Sequence, residues 1–128
     1  MERGAYLCHV GNIETSATWE GFKGIFAEGM LGLRVSGTGL LFFGSYGDIQ
    51  EVEVNGSYVV DNGYAVAWES SLDYSISFSG RKIRHFLFSE QFLCQYHGNG
   101  KLWIQTRSPR NLAAWVHPFR PVQSKDRN

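Results

Sequence analysis

The most constraining feature of this sequence is a strict alternation of apolar and polar residues. Tyr74, Ile76 and Phe78 alternate with serines, and the same period of two recurs in "YAVAWE" and in "EVEV". Because successive side chains of a β-strand point to opposite faces, this period is typical of half-buried strands in an antiparallel sheet. Fifteen glycines against three prolines agree with a chain of many strands and tight turns.

Two Asn-Gly pairs lie between these strands. Asn55-Gly56 separates "EVEV" from "SYVV", and Asn62-Gly63 separates "YVVD" from "YAVAWE". Asn-Gly is the favoured pair in a two-residue hairpin, since both central positions need a positive φ. The sequence therefore predicts a meander of three strands here, with further strands at "AYLCHV", "IETSATW", "LGLRVS", "FLCQYH" and "KLWIQT".

One segment has the signals of a helix, "SPRNLAAWVHPF". Ser108 is suited to the N-cap, Pro109 to the first turn, and a second proline ends the segment. A narrow apolar face arises from residues spaced at three and four positions, namely Leu112, Trp115 and Val116. We expect a helix over residues 109–117 that lies on the sheet and closes the fold.

Two glycine-rich segments about 61 residues apart resemble each other. "GTGLLFFGS" aligns with "GNGKLWIQT", and "FAEGML" upstream aligns with "FSEQFL". A repeat of this length indicates two copies of one β unit, with matching segments at about 26–45 and 88–106. We therefore predict an all-β fold, a repeated antiparallel β-sandwich of the double-stranded β-helix or jelly-roll type. It forms one domain over residues 1–121, followed by a polar tail at 122–128.

A run of four large apolar side chains lies at residues 40–43. One face of this strand can pack on the domain core, but the other face needs a second apolar cover. At the corresponding place of the second copy, an aromatic lies among polar neighbours, which is typical of an interface anchor. The hypothesis is that both copies present an aromatic to a neighbouring subunit, through the candidate interface residues Leu41, Phe42, Phe43 and Trp103.

Composition excludes several classes of protein. The chain has 128 residues, of which 43% are hydrophobic and 19% charged, so it is a folded globular domain and not a disordered one. No stretch approaches the roughly 18 apolar residues of a membrane span, and no signal-peptide core follows the N-terminus. Cys8 and Cys94 lie in strand-like segments without CxxC spacing, which favours buried, reduced thiols over a disulfide or a metal site.

Twelve basic and twelve acidic residues leave the chain without net charge, so its overall field does not attract a polyanion. The charges are nevertheless segregated, because residues 48–73 are acidic and the chain from Arg81 onward is basic. We expect the two blocks to neutralise each other across the sheet or between subunits. The alternative is a basic face for RNA or an anionic lipid, with Arg107, Arg110 and His97 as candidate contacts.

No arrangement of catalytic or metal-binding residues stands out. The four histidines lie in four different segments without HxH, HxxxH or HExxH spacing. Ser45 in "GSYGD" lacks the GxSxG context of a nucleophile and is interpreted as a turn residue. "GTG" and "GNG" precede strands, whereas a phosphate-binding loop leads into a helix. We therefore expect no metal, no cofactor and no catalytic residue.

Three stretches carry a family resemblance: "GTGLLFFGSYGDIQEVEV", "YVVDNGYAVAWESSLDYSI" and "GNGKLWIQTRSPRNLAAWVHPF". Over about residues 4–121 the sequence resembles the C-terminal half of the family named for altered inheritance of mitochondria, member twenty-four. The resemblance implies an all-β fold grouped with the tryptophan RNA-binding attenuation proteins, repeated β-sandwich units and symmetric, trimeric assembly. The reduced cysteines and the lack of a signal-peptide core favour a cytoplasmic or organelle-matrix location, and with the resemblance we expect a cytoplasmic protein in a bacterium or a mitochondrial one in a eukaryote. Because family members are commonly longer, we expect an N-terminal half to be missing here.

The leading functional prediction is a non-enzymatic scaffold or assembly protein that forms a homo-oligomer, with a trimer favoured. Two alternatives stay open. One is a module for RNA or anionic lipid that uses the basic C-terminal third, and the other is a small-molecule enzyme on a jelly-roll-like barrel. The salt dependence of binding distinguishes the scaffold from the binding module, because affinity that depends on charge falls as ionic strength rises.

Overall fold

Residues 1–19, 31–61, 63–77 and 93–120 are described in the computed structural model. In these ranges the chain forms β-strands and a short C-terminal helix, with 3-10 turns at Arg3–Ala5 and His117–Phe119. The predicted all-β class is therefore confirmed. The strands are β1 (Tyr6–Trp19), β2 (Leu31–Phe43), β3 (Ile49–Asp61), β4 (Ala65–Trp68), β5 (Leu72–Ser77) and β6 (Leu93–Gln105), and the helix is α1 (Pro109–Val116).

The described strands form two antiparallel sheets that do not close into a barrel. β1 and β2 pair from Tyr6 opposite Phe43 to Trp19 opposite Leu31, with an irregularity in the register between Tyr6 and Cys8. In the second sheet β6 is central, with β3 on one edge and β4 and β5 on the other. The strand that comes last in the chain therefore holds the second sheet together.

The predicted meander is wrong, because β6 lies between β3 and β4. At Asn55-Gly56 the chain does not reverse: β3 continues through it, with Gly56 (φ +98°) opposite Gly98 (φ +122°). The positive φ does not produce a hairpin, because pairing with β6 continues on both sides of Gly56. In the same way, β1, β2 and β6 are each one long strand where the sequence predicts two short ones.

A turn does follow β3. The backbone N–H of Tyr64 donates to the carbonyl of Asp61 at 2.9 Å, and that of Gly63 donates to Asp61 Oδ1 at 3.0 Å. This turn leads the chain to the far edge of β6 instead of back along β3. Asn62 itself, the predicted short turns in "FKGIFAEG" and "RHFLFSEQ", and the tail at 122–128 lie outside the described residues.

Glycine is required in the middle of the long strands. A Cβ on Gly98 would lie 2.7 Å from the carbonyl oxygen of Ser71, and the positive φ at Gly98 is one that other residues rarely adopt. Gly37 in β2 has φ +129° and lies against the backbone of Asn12 in β1. The two G-x-G segments therefore occupy similar places in β2 and β6. That the two halves are copies of one unit stays a prediction.

The core lies in the second sheet. The first residues of the chain join the two sheets: the N–H of Glu2 donates to the carbonyl of Val66 at 2.7 Å, and that of Leu33 donates to the carbonyl of Met1 at 2.9 Å. Together these contacts give a sandwich-like arrangement of two layers. The buried apolar cluster consists of Val54, Ala65, Leu72, Cys94, Tyr96 and Leu102.

The helix α1 lies where the sequence predicts it, but it does not close the fold. None of its residues is buried, and Trp115 is 67% exposed. The attachments of the helix are polar and lie at its start: Ser108 is buried, and Asn111 Nδ2 donates to the Tyr64 hydroxyl at 2.6 Å. The prediction that its apolar face lies on the sheet is wrong, because these contacts hold the helix while its apolar side chains stay exposed.

Candidate functional site

The run at residues 40–43 divides between two surfaces. Leu40 and Phe42 are 64% and 48% exposed on the outside of β2. Leu41 and Phe43 are half-buried and face the second sheet. Alternation along the strand imposes this division. The run therefore has two apolar faces, and the second sheet of the same chain partly covers one of them.

Four exposed side chains of β1 and β2 form an apolar surface, which we call the outer face. Cys8 lies opposite Phe42, and Val10 lies opposite Leu40. All four side chains are exposed and none carries a charge. A contiguous exposed apolar surface marks an interaction site more often than a single exposed side chain does. The outer face, defined by Cys8, Val10, Leu40 and Phe42, is therefore a candidate assembly surface.

Cys8 corrects the expectation that both cysteines are buried. Cys94 is fully buried in the core, whereas Cys8 is exposed. Burial, reinforced by the nearby Asp61, raises the pKa of the Cys94 thiol to about 11. Cys94 is therefore protonated and unreactive at neutral pH. Cys8 points outward because alternation along β1 places it on the same side as Val10. The sequence "AYLCHV" does not predict this side, because both faces of that strand carry apolar residues.

A cleft lies between β2 and the second sheet. The rings of Phe43 and Trp103 meet there edge to face, with centroids 6.5 Å apart, and Trp103 Nε1 donates to Glu51 Oε2 at 3.1 Å. Beside this contact is a cavity of about 400 Å³ that Leu41 also lines. Phe42 and Trp103 therefore lie on different surfaces, contrary to the prediction that they present equivalent aromatics to a neighbouring subunit.

The charged groups of this cleft are the side chains of Arg34, Glu69 and Asp73 and the α-amino group of Met1, which donates to the carbonyl of Leu33 at 3.0 Å. Glu69 Oε2 accepts a hydrogen bond from the backbone N–H of Lys101 at 3.0 Å, so it also fixes the loop between β4 and β5. The described residues that line the cavity include Ser70 but no histidine, cysteine or lysine that could serve as its base. The lining offers aromatic surface and a few charges, which is chemistry suited to binding.

An aromatic cluster that the sequence did not reveal lies next to the cleft. Trp68, Tyr74 and Tyr96 contact one another with ring centroids 5.4 to 6.0 Å apart. Tyr96 is fully buried, and its hydroxyl has no hydrogen-bond partner among the described residues. Burial raises the pKa of Tyr96 well above its usual range. The cluster could not be predicted because its members come from three strands whose pairing is not local.

One ion pair crosses the ladder between β3 and β6. Lys101 Nζ lies 2.7 Å from Glu51 Oε1, and both side chains are solvent-exposed. The hydrogen bond with Lys101 lowers the pKa of Glu51, and the same bond raises the pKa of Lys101. Because exposed pairs are screened by water and salt, this pair adds little to stability. It is one instance of the predicted neutralisation of the acidic stretch by the C-terminal bases.

Arg107, Arg110 and His97 do not form one site. Arg107 follows β6, where its N–H donates to the carbonyl of Tyr46 at 3.1 Å, and Arg110 lies in the first turn of α1. His97 lies in the middle of β6, opposite Asp73 of β5. On the order of 25 Å of strand separates it from the end of β6. The expected cluster is wrong because the two short strands predicted here are one long strand.

A second cavity, of about 450 Å³, lies beside the loop after β2 and the start of α1. Gln105 organises this region, because its Oε1 accepts from the N–H of Tyr46 at 2.9 Å and its Nε2 donates to the carbonyl of Gly63 at 2.8 Å. Ser45 Oγ donates to the carbonyl of Gly47 at 3.0 Å, in agreement with a turn role. The side chains of Gln105 and Ser45 are therefore used to hold loops together.

The fold and these surfaces define a two-layer, all-β protein with an apolar outer face and an aromatic cleft. Within the described ranges, no three histidine, cysteine or acidic side chains converge as metal ligands. No helix in those ranges is long and apolar enough to cross a bilayer. The chain belongs to the family described as mitochondrial biogenesis AIM24, whose profile matches residues 1–107. This match confirms the family resemblance, and it ends before α1 begins.

Bacterial proteins are similar to this chain. An uncharacterised protein of Streptococcus pyogenes serotype M6 is 26% identical over 128 residues, which cover 97% of this chain and 52% of that protein. A crystal structure of a Streptococcus pyogenes protein has a TM-score of 0.76 at 24% identity, covering 92% of this chain and 53% of that one. The fold is therefore shared, and the chain spans about half the length of the relatives that it matches.

Proposed function

We propose that this protein is a non-enzymatic assembly protein whose copies associate through the outer face. The observation that carries the proposal is the exposure of four uncharged side chains on two paired strands, with Phe42 beside Cys8 and Leu40 beside Val10. Interface centres are depleted in charged residues and enriched in aromatic ones. The outer face has no charged residue and one aromatic, Phe42. A second copy is the partner that we propose, because every copy supplies an uncharged sheet face able to pack on another sheet.

The number of subunits depends on what the outer face contacts. If it packs on the outer face of a second copy, the contact is two-fold symmetric and the assembly has an even number of subunits. If it packs on a different surface of the next copy, the contacts form a ring when the rotation between copies closes and a filament when it does not. The family resemblance favours the second arrangement, a trimer. Both arrangements bury Phe42.

A role without catalysis is supported by the residues of the cleft. Its described lining has aromatic rings and three charged side chains, but no histidine, cysteine or lysine beside Ser70. The cysteine in the core, Cys94, is buried and has a raised pKa, and both properties oppose a nucleophilic role.

The test compares the native masses of the unmodified chain and two variants by size-exclusion chromatography with light scattering. Phe42→Glu places a charge in the outer face. Val59→Glu is the matched control, because Val59 is 51% exposed on β3, outside the outer face. We expect an oligomer for the unmodified chain and for Val59→Glu, and a smaller species for Phe42→Glu with an unchanged circular dichroism spectrum. An unchanged mass for Phe42→Glu would refute the proposal.

A further inference from the structure

The helix α1 and the 3-10 turn after it expose an apolar stripe. The stripe residues are spaced at three and four positions, so they share one side of the helix. Trp115 and Phe119 contact each other with ring centroids 5.4 Å apart, so the aromatic part is formed without a partner. We call these residues the helix stripe: Leu112 (54% exposed), Trp115 (67%), Val116 (38%) and Phe119 (72%).

Within the segment that carries the helix stripe, the charged residues are all of one sign. Residues 107–120 contain three arginines, Arg107, Arg110 and Arg120, and no aspartate or glutamate. All three arginines are exposed. Because the chain as a whole has no net charge, this positive segment is a local feature. A surface that complements it must be apolar on one side and anionic on the other.

We propose that this segment docks onto a bilayer surface that contains anionic lipid. The helix stripe inserts at the boundary between headgroups and acyl chains, and the arginines lie at the level of the lipid phosphates. Tryptophan, phenylalanine and leucine on one side of a short helix, with arginine around them, is the composition of helices that lie in this interface. Arginine side chains reach the phosphates while their aliphatic stems stay in apolar surroundings.

The helix stripe favours lipid over RNA. Bases stack on aromatic rings and on guanidinium groups, which would use Trp115, Phe119 and the arginines. Leu112 and Val116 have no ring on which a base could stack, but transfer of their side chains from water to hydrocarbon is favourable. This surface is separate from the outer face, and it lies beyond residues 1–107, where the family match ends. The inference therefore does not depend on the proposed assembly.

Flotation of the full chain with vesicles tests the inference. One set of vesicles contains phosphatidylcholine alone, and the other contains phosphatidylcholine and phosphatidylglycerol in equal parts. We expect the chain to float with the second set only, with binding that weakens as salt is raised. Bound protein should show a blue shift of tryptophan fluorescence that is lost in Trp115→Ala.

Variants separate the two parts of the surface. Trp115→Ala combined with Phe119→Ala should lower vesicle binding by at least about tenfold, because two exposed aromatics no longer insert. Arg120→Gln should lower it about fivefold, by loss of one charge near the surface. The controls are Val59→Ala and Lys101→Gln, which remove an exposed apolar group from β3 and an exposed positive charge from β6 and should bind as the unmodified chain does. Folding is not at risk, because the substituted side chains are exposed.

Four results would overturn the inference. The first is the absence of flotation with phosphatidylglycerol, and the second is equal binding to phosphatidylcholine alone. The third is a fall in native mass of the Trp115→Ala and Phe119→Ala double variant, which would assign the helix stripe to contact between copies. The fourth is displacement of the chain from vesicles by a single-stranded oligouridylate whose concentration is lower than that of the lipid. This result would assign the helix stripe to RNA binding.

Discussion

Phe43 of β2 and Trp103 of β6 meet edge to face, with ring centroids 6.5 Å apart and ring planes at 71°. This contact joins the two layers of the protein at the place where the run at residues 40–43 divides. Phe43 faces inward to the cleft, and its neighbour Phe42 faces outward. The strand β2 therefore contributes both to the contact between the layers and to the candidate assembly surface.

Removing either ring should weaken the contact between the layers. Phe43→Ala and Trp103→Ala should each lower the free energy of unfolding by about 2 kcal/mol, less than for a fully buried aromatic because both side chains are half-buried. A double-mutant cycle in urea should give a coupling of about 1 kcal/mol. Trp115→Ala, which removes an exposed ring, is the control and should change little. Strict additivity of the two substitutions would show that the rings do not interact.

The paired glycines in β3 and β6 should respond differently to alanine. Gly98→Ala should cost about 3 kcal/mol or more, because φ is +122° and the added Cβ would lie 2.7 Å from the carbonyl of Ser71. Gly56→Ala should cost only about 1 to 2 kcal/mol, since φ is +98° but no atom lies within 4 Å of the new Cβ. Thermal unfolding of the two variants measures the difference. Equal costs would contradict the close approach at Gly98.

The two cysteines should differ in reactivity toward a thiol reagent. Cys8 is exposed on the outer face and should react in the native protein, whereas Cys94 is buried and should react only on unfolding. If copies associate through the outer face, labelling of Cys8 should slow as protein concentration rises. Mass spectrometry of the labelled peptides assigns each site. Rapid labelling of Cys94 in the native protein would contradict the described core.

Stability should fall in alkaline solution through Cys94. Its pKa is raised from 9.0 to about 11 by folding, so the folded state keeps the proton that the unfolded state loses. The resulting stabilisation is fully present below pH 9 and is lost as pH rises toward 11. Urea unfolding at several pH values measures this loss. Cys94→Ala should reduce the slope over that window, and Cys8→Ala should leave it unchanged.

Local patterns are enough to predict which segments are extended and where the helix begins. Alternation at Tyr74 and Ile76 reports which side chains share a face, and Ser108 and Pro109 mark a helix start whatever lies nearby. The pairing of strands was not predictable in the same way. The Asn-Gly pair correctly indicates a positive φ at Gly56, but the partner strand β6 decides whether that φ produces a hairpin or a continuing strand.

The candidate site was predicted in part. The run at residues 40–43 indicated two apolar faces, and the structure has both, with Phe42 outward and Phe43 inward. Cys8 was missed as a neighbour of Phe42, because register between β1 and β2 is set by contacts distant in sequence. The exposure of Trp115 was missed for a related reason, since an apolar helix face does not tell which surface covers it.

The native mass of the purified chain at low and high salt tests the central claim most directly. Size-exclusion chromatography with light scattering gives this mass without a label. Association through the uncharged outer face predicts a discrete oligomer whose mass is the same at both salt concentrations, because burial of apolar surface is not screened by salt. A monomer at every concentration and salt condition would contradict the assembly role.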